Sequence, residues 1–136
     1  MTPPESLPPK ACVHLLLQQA QRLGIAVEWK KQSAHKFDAA YFASPGTPGH
    51  IVLTEREPKP SPAKICTFLS HEMVHVLQHW KGNLKSLEPL GWPRDGAAVG
   101  DHRWAQEQEA YTAQSEPRKV LEAISKLKPV SAQDSP

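Results

Sequence analysis

Two histidines and a glutamate stand at a spacing that suits a divalent metal ion. His71 and His75 are four residues apart and Glu72 follows the first of them, in the pattern H-E-x-x-H. On a helix, side chains four positions apart lie on one face, so both imidazoles can reach one cation, while Glu72 projects roughly 100° away beside it. The pattern therefore predicts two zinc ligands with a general base next to them.

A third ligand has to come from another segment, because catalytic zinc takes three protein ligands and leaves its fourth position for water. Residues 104–114 favour a helix, and Glu107 shares one face of it with small and aromatic residues. The other residues on that face are Trp104, Ala110, Tyr111 and Gln114. Ala110 allows a close approach to the histidine helix, where Gln114 is expected to meet Gln78. We expect Glu107 to be the third ligand, with Glu109, which points the opposite way, as the alternative.

A simpler interpretation of these polar residues is that they are solvated groups on an exposed helix face. We prefer the metal interpretation because a glutamate occupies the required position of the motif and a second helix offers a third ligand. His79, one turn beyond His75, is not expected to bind the same ion. Ligands on three successive turns of a straight helix diverge along its axis, and residues 76–81 contain no glycine that would bend it.

These two segments resemble the zincin-type metallopeptidases with a glutamate as third ligand, often called gluzincins. His71-Glu-Met-Val-His75 resembles their active-site helix, and Glu107-Gln-Glu-Ala-Tyr111 is similar to their E-x-x-A-[DN] ligand helix. The resemblance implies that His71, His75 and Glu107 bind zinc and that Glu72 activates the water that hydrolyses a peptide bond.

The sequence departs from that family at one position. Tyr111 stands where many relatives carry Asp or Asn, a residue that commonly supports a zinc-binding histidine. Gln78, Asp95 and Asp101 are the candidates for this supporting role.

The elements that must position these residues follow from apolar spacing and turn residues. A first helix is predicted over residues 11–23 and ended by Gly24, and strands are predicted over 25–29, 39–43 and 50–54. Ser61 and Pro62 predict the start of the motif helix, which runs to about Trp80 and is stopped by Gly82. We expect an α+β fold with a zincin-like core: an N-terminal helix, a small and mostly antiparallel sheet, the H-E-x-x-H helix and the ligand helix.

The segment after the motif helix contains several glycines and prolines. Residues 83–100 are therefore predicted as a long irregular connection, after which Asp101 caps the ligand helix and Pro117 opens a last helix to about residue 127. A length of 136 residues corresponds to one domain. We place that domain at residues 11–128, with a flexible leader over 1–10 and a disordered tail over 129–136.

Composition and charge exclude several classes of protein. With 16 basic and 14 acidic residues the formal net charge is +2, which argues against a polycationic nucleic-acid binder. Lys30, Lys31 and Lys36 lie near Trp29 and Phe37, but this patch is too sparse for a specific nucleic-acid interface, and a solvated strand and turn is preferred. No apolar stretch approaches the roughly 20 residues of a bilayer crossing. The expected partner is a peptide or protein substrate, with neither nucleic acid nor membrane, and the oligomeric state stays open.

The first ten residues lack the basic and apolar regions of a signal peptide, so a cytoplasmic location is expected. Cys12 and Cys66 fall within apolar helical patterns, and we expect two buried free thiols rather than a disulfide. Trp92 and Trp104 flank the irregular connection, where they either line a substrate groove or, as is more frequent for tryptophan, pack in the core.

The sequence thus predicts zinc-dependent peptide-bond hydrolysis, with an extended peptide held along an edge strand of the sheet. The alternatives are a non-catalytic zinc-binding or interaction domain that retains the site, and a motif that arose by accident.

Overall fold

The computed structural model describes residues 7–31, 37–94 and 104–130. Along these residues the order of elements is α1 (Pro9–Leu23), β1 (Ala26–Lys31), β2 (Ala39–Phe42), β3 (His50–Glu55), α2 (Pro62–Lys81), α3 (Ala105–Ala113) and α4 (Pro117–Ser125). The fold class is α+β, as predicted. The proposed leader and tail lie largely outside the described residues, but Leu7 and Val130, which are described, pack against the core.

The sheet is mixed, so the expectation of a mostly antiparallel sheet was wrong. Its strand order is β1-β3-β2, with β3 parallel to β1 and antiparallel to β2. Strand β3 takes the centre because Ile51 to Thr54 are all buried, whereas β1 carries charged, exposed residues suited to an edge. Strand β2 forms the opposite edge and is the one that lies against α2.

Helix α2 is the central element of the fold. Ser61 caps its first turn by accepting a hydrogen bond from the Lys64 backbone N–H, and Pro62 occupies the first helical position, where a missing N–H costs nothing. The apolar stripe predicted one buried face, but every residue from 69 to 80 is buried. This is because α1, β2, α3 and α4 all pack around the helix.

A disulfide joins Cys12 of α1 to Cys66 of α2, with their Cα atoms 5.6 Å apart. The expectation of two free thiols was therefore wrong, although both residues are buried as predicted. The apolar faces of α1 and α2 pack together, and this packing places the two sulfur atoms against each other.

Helix α4 is fastened to α1 and α2 by polar groups at its carboxyl end. Arg22 donates to the carbonyl oxygens of Ile124 and Leu127, and the Trp80 indole N–H donates to that of Lys128. Cationic donors suit the unpaired carbonyls at a helix C-terminus.

Among the described residues, no helix is both long and apolar enough to cross a membrane.

Candidate metal centre

Helices α2 and α3 bring His71, His75 and Glu107 together. One ligand atom from each lies within 4.8 Å of the others. Glu107 Oε1 is 2.5 Å from His75 Nε2 and 3.6 Å from His71 Nε2. Ala110, which is fully buried, lets α3 approach α2 closely. The three predicted ligands therefore lie close together, and Glu107 lies on the side of α3 that was predicted to face α2.

This donor set fits a zinc ion. Two nitrogen or oxygen ligands of tetrahedral zinc lie about 3.3 Å apart when each is about 2.0 Å from the metal. The separation of 3.6 Å between His71 Nε2 and Glu107 Oε1 is close to that value, whereas the 2.5 Å contact to His75 is a charge-assisted hydrogen bond. Two imidazoles and one carboxylate form a set found in catalytic zinc sites.

The second ring nitrogen of each histidine is held by a glutamine. His71 Nδ1 lies 2.9 Å from Gln114 Oε1, and His75 Nδ1 lies 2.7 Å from Gln78 Oε1. An amide oxygen only accepts, so each Nδ1 donates, and in the neutral ring each Nε2 keeps the lone pair that a metal needs. Gln114 thus contacts His71 instead of Gln78, and Gln78, one of the three candidates for a supporting residue, contacts His75. Asp95 and Asp101 lie outside the described residues.

Glu72 is buried beside the histidines, with 6% of its surface exposed. Burial raises the pKa of its carboxyl group, as does the charge of Glu107. The histidines and a hydrogen bond from the Tyr41 backbone N–H act in the opposite direction, but the net shift is upward. A carboxylate with a raised pKa is a stronger base, as the predicted role requires.

Tyr111 packs against the first histidine. Its ring meets the His71 ring edge to face, with the centroids 4.6 Å apart. Burial, together with the charges of Glu107 and Glu72, raises the pKa of its phenol. Tyr111 therefore supports His71 by ring packing, while Gln114 supplies the hydrogen bond.

The site opens into a cleft of about 570 Å³ between α2, α3 and the edge strand β2. The cleft is also lined by Phe37, Asp38, Thr67, Phe68 and Leu87. The Thr54 N–H donates to Asp38 O, and in an antiparallel pair only every second residue forms hydrogen bonds with the neighbouring strand. Counting from Asp38, the residues of β2 that bond to β3 are therefore Ala40 and Phe42. The N–H and C=O groups of Ala39 and Tyr41 consequently point away from β3, and the Tyr41 N–H reaches Glu72.

Glu109 has a place in the structure that sequence reasoning missed. It lies on the other side of α3 from Glu107, is 1% exposed, and accepts hydrogen bonds from Gln78 and from three successive backbone N–H groups of residues 90–92. A turn at Gly91, whose φ of 85° favours glycine, accompanies this arrangement. In the sequence, only Gly91 and the position of Glu109, two residues after Glu107, could have indicated this arrangement.

The remaining candidates lie away from the metal centre. His79 is buried, and its Nε2 donates to Thr47 O, in agreement with its exclusion as a ligand. Trp104 precedes α3 and is 74% exposed, so it belongs to neither the cleft lining nor the core. Trp92 is partly buried against the core, with the Lys119 ammonium 4.5 Å from the centre of its ring.

Comparison with known proteins leaves the interpretation to this geometry. No protein-family model matches the chain, and neither the curated proteins nor the solved structures contain a match. Function is therefore inferred from the positions of His71, His75, Glu107 and Glu72 and from the cleft that they line.

Proposed function

We propose that the chain is a zinc-dependent metallopeptidase with a zincin-like core. The observation that carries this proposal is the convergence of His71, His75 and Glu107 at a cleft that also contains the buried carboxylate of Glu72. A metal-binding role alone does not require such a carboxylate, because Glu72 is not among the three converging ligands. An acid or base next to a metal is what hydrolysis requires.

In this proposal the three ligands hold the ion, which supplies Lewis acidity towards a carbonyl group and water when bound. Glu72 takes a proton from the attacking water on its carboxylate and delivers that proton to the leaving amine. The Tyr41 backbone N–H faces this carboxylate and favours its charged form. Because α1, β2, α3 and α4 pack around α2, the base and the two histidines are held on one rigid helix.

The substrate in this proposal is an extended peptide lying along β2. Among the described residues, no strand pairs with the outer edge of β2. This edge offers the backbone N–H and C=O of Ala39 and the C=O of Tyr41, which are the groups that pair with an added strand. Phe37, Phe68 and Leu87 provide apolar surface for its side chains. A peptide bound in this way would lie next to Glu72, because Glu72 also lines the cleft.

The substitution Glu72→Gln tests the proposal, because it keeps the size of the side chain and removes the base. Purified wild-type protein should contain one zinc ion per chain and cleave a dye-labelled unfolded protein. The variant should retain zinc and lose at least about 10³-fold in rate. Glu116→Gln, at an exposed glutamate outside the cleft, is the matched control and should behave as wild type.

Two results would contradict the proposal. Equal cleavage by wild type and Glu72→Gln would place the activity elsewhere or in a contaminant. Stoichiometric zinc in the wild type without cleavage of any unfolded protein would favour the non-catalytic metal-binding domain instead.

A further inference from the structure

The buried carboxylate of Glu109 is surrounded by N–H donors. Its Oε1 accepts from Gln78 Nε2 at 3.0 Å and from the Leu90 N–H at 2.8 Å. Its Oε2 accepts from the N–H groups of Gly91 and Trp92 at 2.7 and 2.9 Å. All four of these groups donate, so both carboxylate oxygens of Glu109 act as acceptors.

The contacts of Gln78 determine which end of its amide faces His75. Gln78 Nε2 lies 2.9 Å from the carbonyl oxygen of Gln106 and 3.0 Å from Glu109, and both of these partners only accept. The amide nitrogen must therefore point towards them, and Oε1 must face His75 Nδ1. Because that oxygen cannot donate, Nδ1 carries a proton, and in the neutral ring Nε2 keeps the lone pair for a metal.

We propose that Glu109 is a positioning residue for the metal centre, acting through Gln78 to fix the tautomer and the ring orientation of His75. This inference rests on the zinc binding proposed above. Glu109 does not touch the ion site itself. Its effect is transmitted by two hydrogen bonds, from Gln78 to Glu109 and from His75 to Gln78.

The competing explanation is that Glu109 only anchors the loop of residues 83–94. Other contacts already anchor that loop. The Gln106 side chain donates to Leu87 O at 3.0 Å, Lys81 donates to Pro89 O, and the Glu88 N–H donates to Gln78 O. Gln106→Ala therefore removes a loop contact from the same helix without touching the Gln78 side chain, and it serves as the matched control.

The experiment measures zinc affinity by competition with a chromophoric chelator, using the full-length protein and zinc alone. Gln78→Leu, which replaces the amide with an apolar group of similar size, should weaken zinc binding roughly 10- to 100-fold, as is typical when the partner of a ligating histidine is removed. Glu109→Gln should weaken binding by a similar factor. Gln106→Ala should change the affinity by less than about threefold, which is our threshold for loop anchoring alone.

A double variant separates positioning from loop anchoring. In Gln78→Glu/Glu109→Gln, the carboxylate at position 78 accepts from His75 Nδ1 and from the amide at position 109. The two hydrogen bonds that link position 109 to His75 are therefore restored, while the hydrogen bond to Gln106 O is lost. The backbone N–H groups of residues 90–92 then no longer have a carboxylate as their acceptor. Zinc affinity above that of Glu109→Gln alone supports positioning, and unchanged affinity overturns it.

The remaining outcomes are also decisive. Gln78→Leu within threefold of wild type, or an equal loss in Gln106→Ala, overturns the inference. If the wild type binds no zinc, both the inference and the proposed function fail. If it binds zinc and shows the expected order of affinities but cleaves no peptide, only the proposed function fails. Thermal unfolding with a chelator present identifies any variant that fails to fold. The zinc affinities of the remaining variants then test the role of Glu109.

Discussion

The backbone N–H of Tyr41 donates a hydrogen bond to the carboxylate of Glu72. This bond joins the edge strand of the sheet to the helix that carries both histidines. It depends on the register of β2, because only alternate residues of an edge strand direct their backbone groups away from the neighbouring strand. A shift by one residue would turn this N–H towards β3 and leave Glu72 without it.

The first prediction concerns the three ligands. His71→Ala and His75→Ala should each remove most of the bound zinc, and Glu107→Gln should lower zinc affinity at least about tenfold, because a neutral amide is a weaker ligand than a carboxylate. Metal analysis after dialysis and chelator competition measure these effects. Glu122→Gln, an exposed glutamate of α4, is the control. Stoichiometric zinc persisting in both histidine variants would contradict the assignment.

The second prediction concerns pH. Hydrogen bonds from His71 and His75 lower the pKa of Glu107 in the metal-free protein. Burial lowers the pKa of His75, but its hydrogen bond to Glu107 and other contacts outweigh burial, so the net pKa is raised.

These shifts have opposite consequences for metal-free stability. The stabilisation from His75 is complete below its ordinary pKa of about 6.5 and is lost as pH rises through the raised value. The stabilisation from Glu107 is present above its ordinary pKa of about 4.3 and is lost as pH falls through the lowered value. Their contact therefore stabilises the metal-free fold most between about pH 4.5 and 6.5.

Zinc must displace the proton of His75, so the increase in melting temperature on adding zinc should grow from pH 5.5 to pH 8. Thermal unfolding with zinc and with a chelator at each pH measures this increase. A zinc effect that is larger at the lower pH would contradict the assignment of His75 as a ligand.

The third prediction concerns the disulfide. The bridge spans 54 residues of sequence, and a closed loop of this size contributes roughly 2–4 kcal/mol by restricting the unfolded chain. Cys12→Ala/Cys66→Ala should therefore lower the melting temperature by roughly 10 °C. A reductant should lower that of the wild type similarly and leave the variant unchanged. Zinc stoichiometry should survive in both.

The bridge also bears on where the protein works. Persistent disulfides are typical of oxidising compartments, whereas the sequence led us to expect the cytoplasm. Alkylation of protein taken directly from its native cells should modify neither cysteine. Modification of both would show that the thiols are reduced there and would favour the cytoplasm.

The fourth prediction concerns the turn that follows α2. A Cβ added at Gly82 would lie 2.0 Å from the backbone oxygen of Ser86, which cannot move without displacing the loop. Gly82→Ala should cost about 2–3 kcal/mol in unfolding free energy. At Gly46, which has φ of 79° and nothing within 4 Å, alanine should cost only about 1 kcal/mol of backbone strain. Denaturant unfolding compares the two, and equal losses would contradict the clash.

Much of the site could be predicted from local sequence. Ser61, Pro62 and Gly82 mark the ends of α2, and helical geometry alone places His71 beside His75. The position of Glu107 followed from the face it shares with Ala110 and Tyr111, since small and aromatic residues indicate the side that packs.

Other features depend on contacts between distant segments. Strand order followed from the burial of β3 on both faces, a tertiary property that alternation within each strand does not reveal. The pairing of Cys12 with Cys66 required the relative position of two helices. The role of Glu109 required the loop to fold back over α3, and a buried carboxylate that accepts from backbone amides has no sequence pattern of its own.

The disulfide closes a covalent ring that contains all three strands, while the proposed metal ligands follow it in sequence. A single backbone cut between residues 13 and 65 would therefore open the ring without separating the pieces. Such a nicked chain would migrate as one species until it was reduced. A metal held by His71, His75 and Glu107 would form a second, reversible closure that begins on the same helix five residues after Cys66. A reductant and a chelator remove these closures independently, so four distinct states of the chain can be prepared and compared.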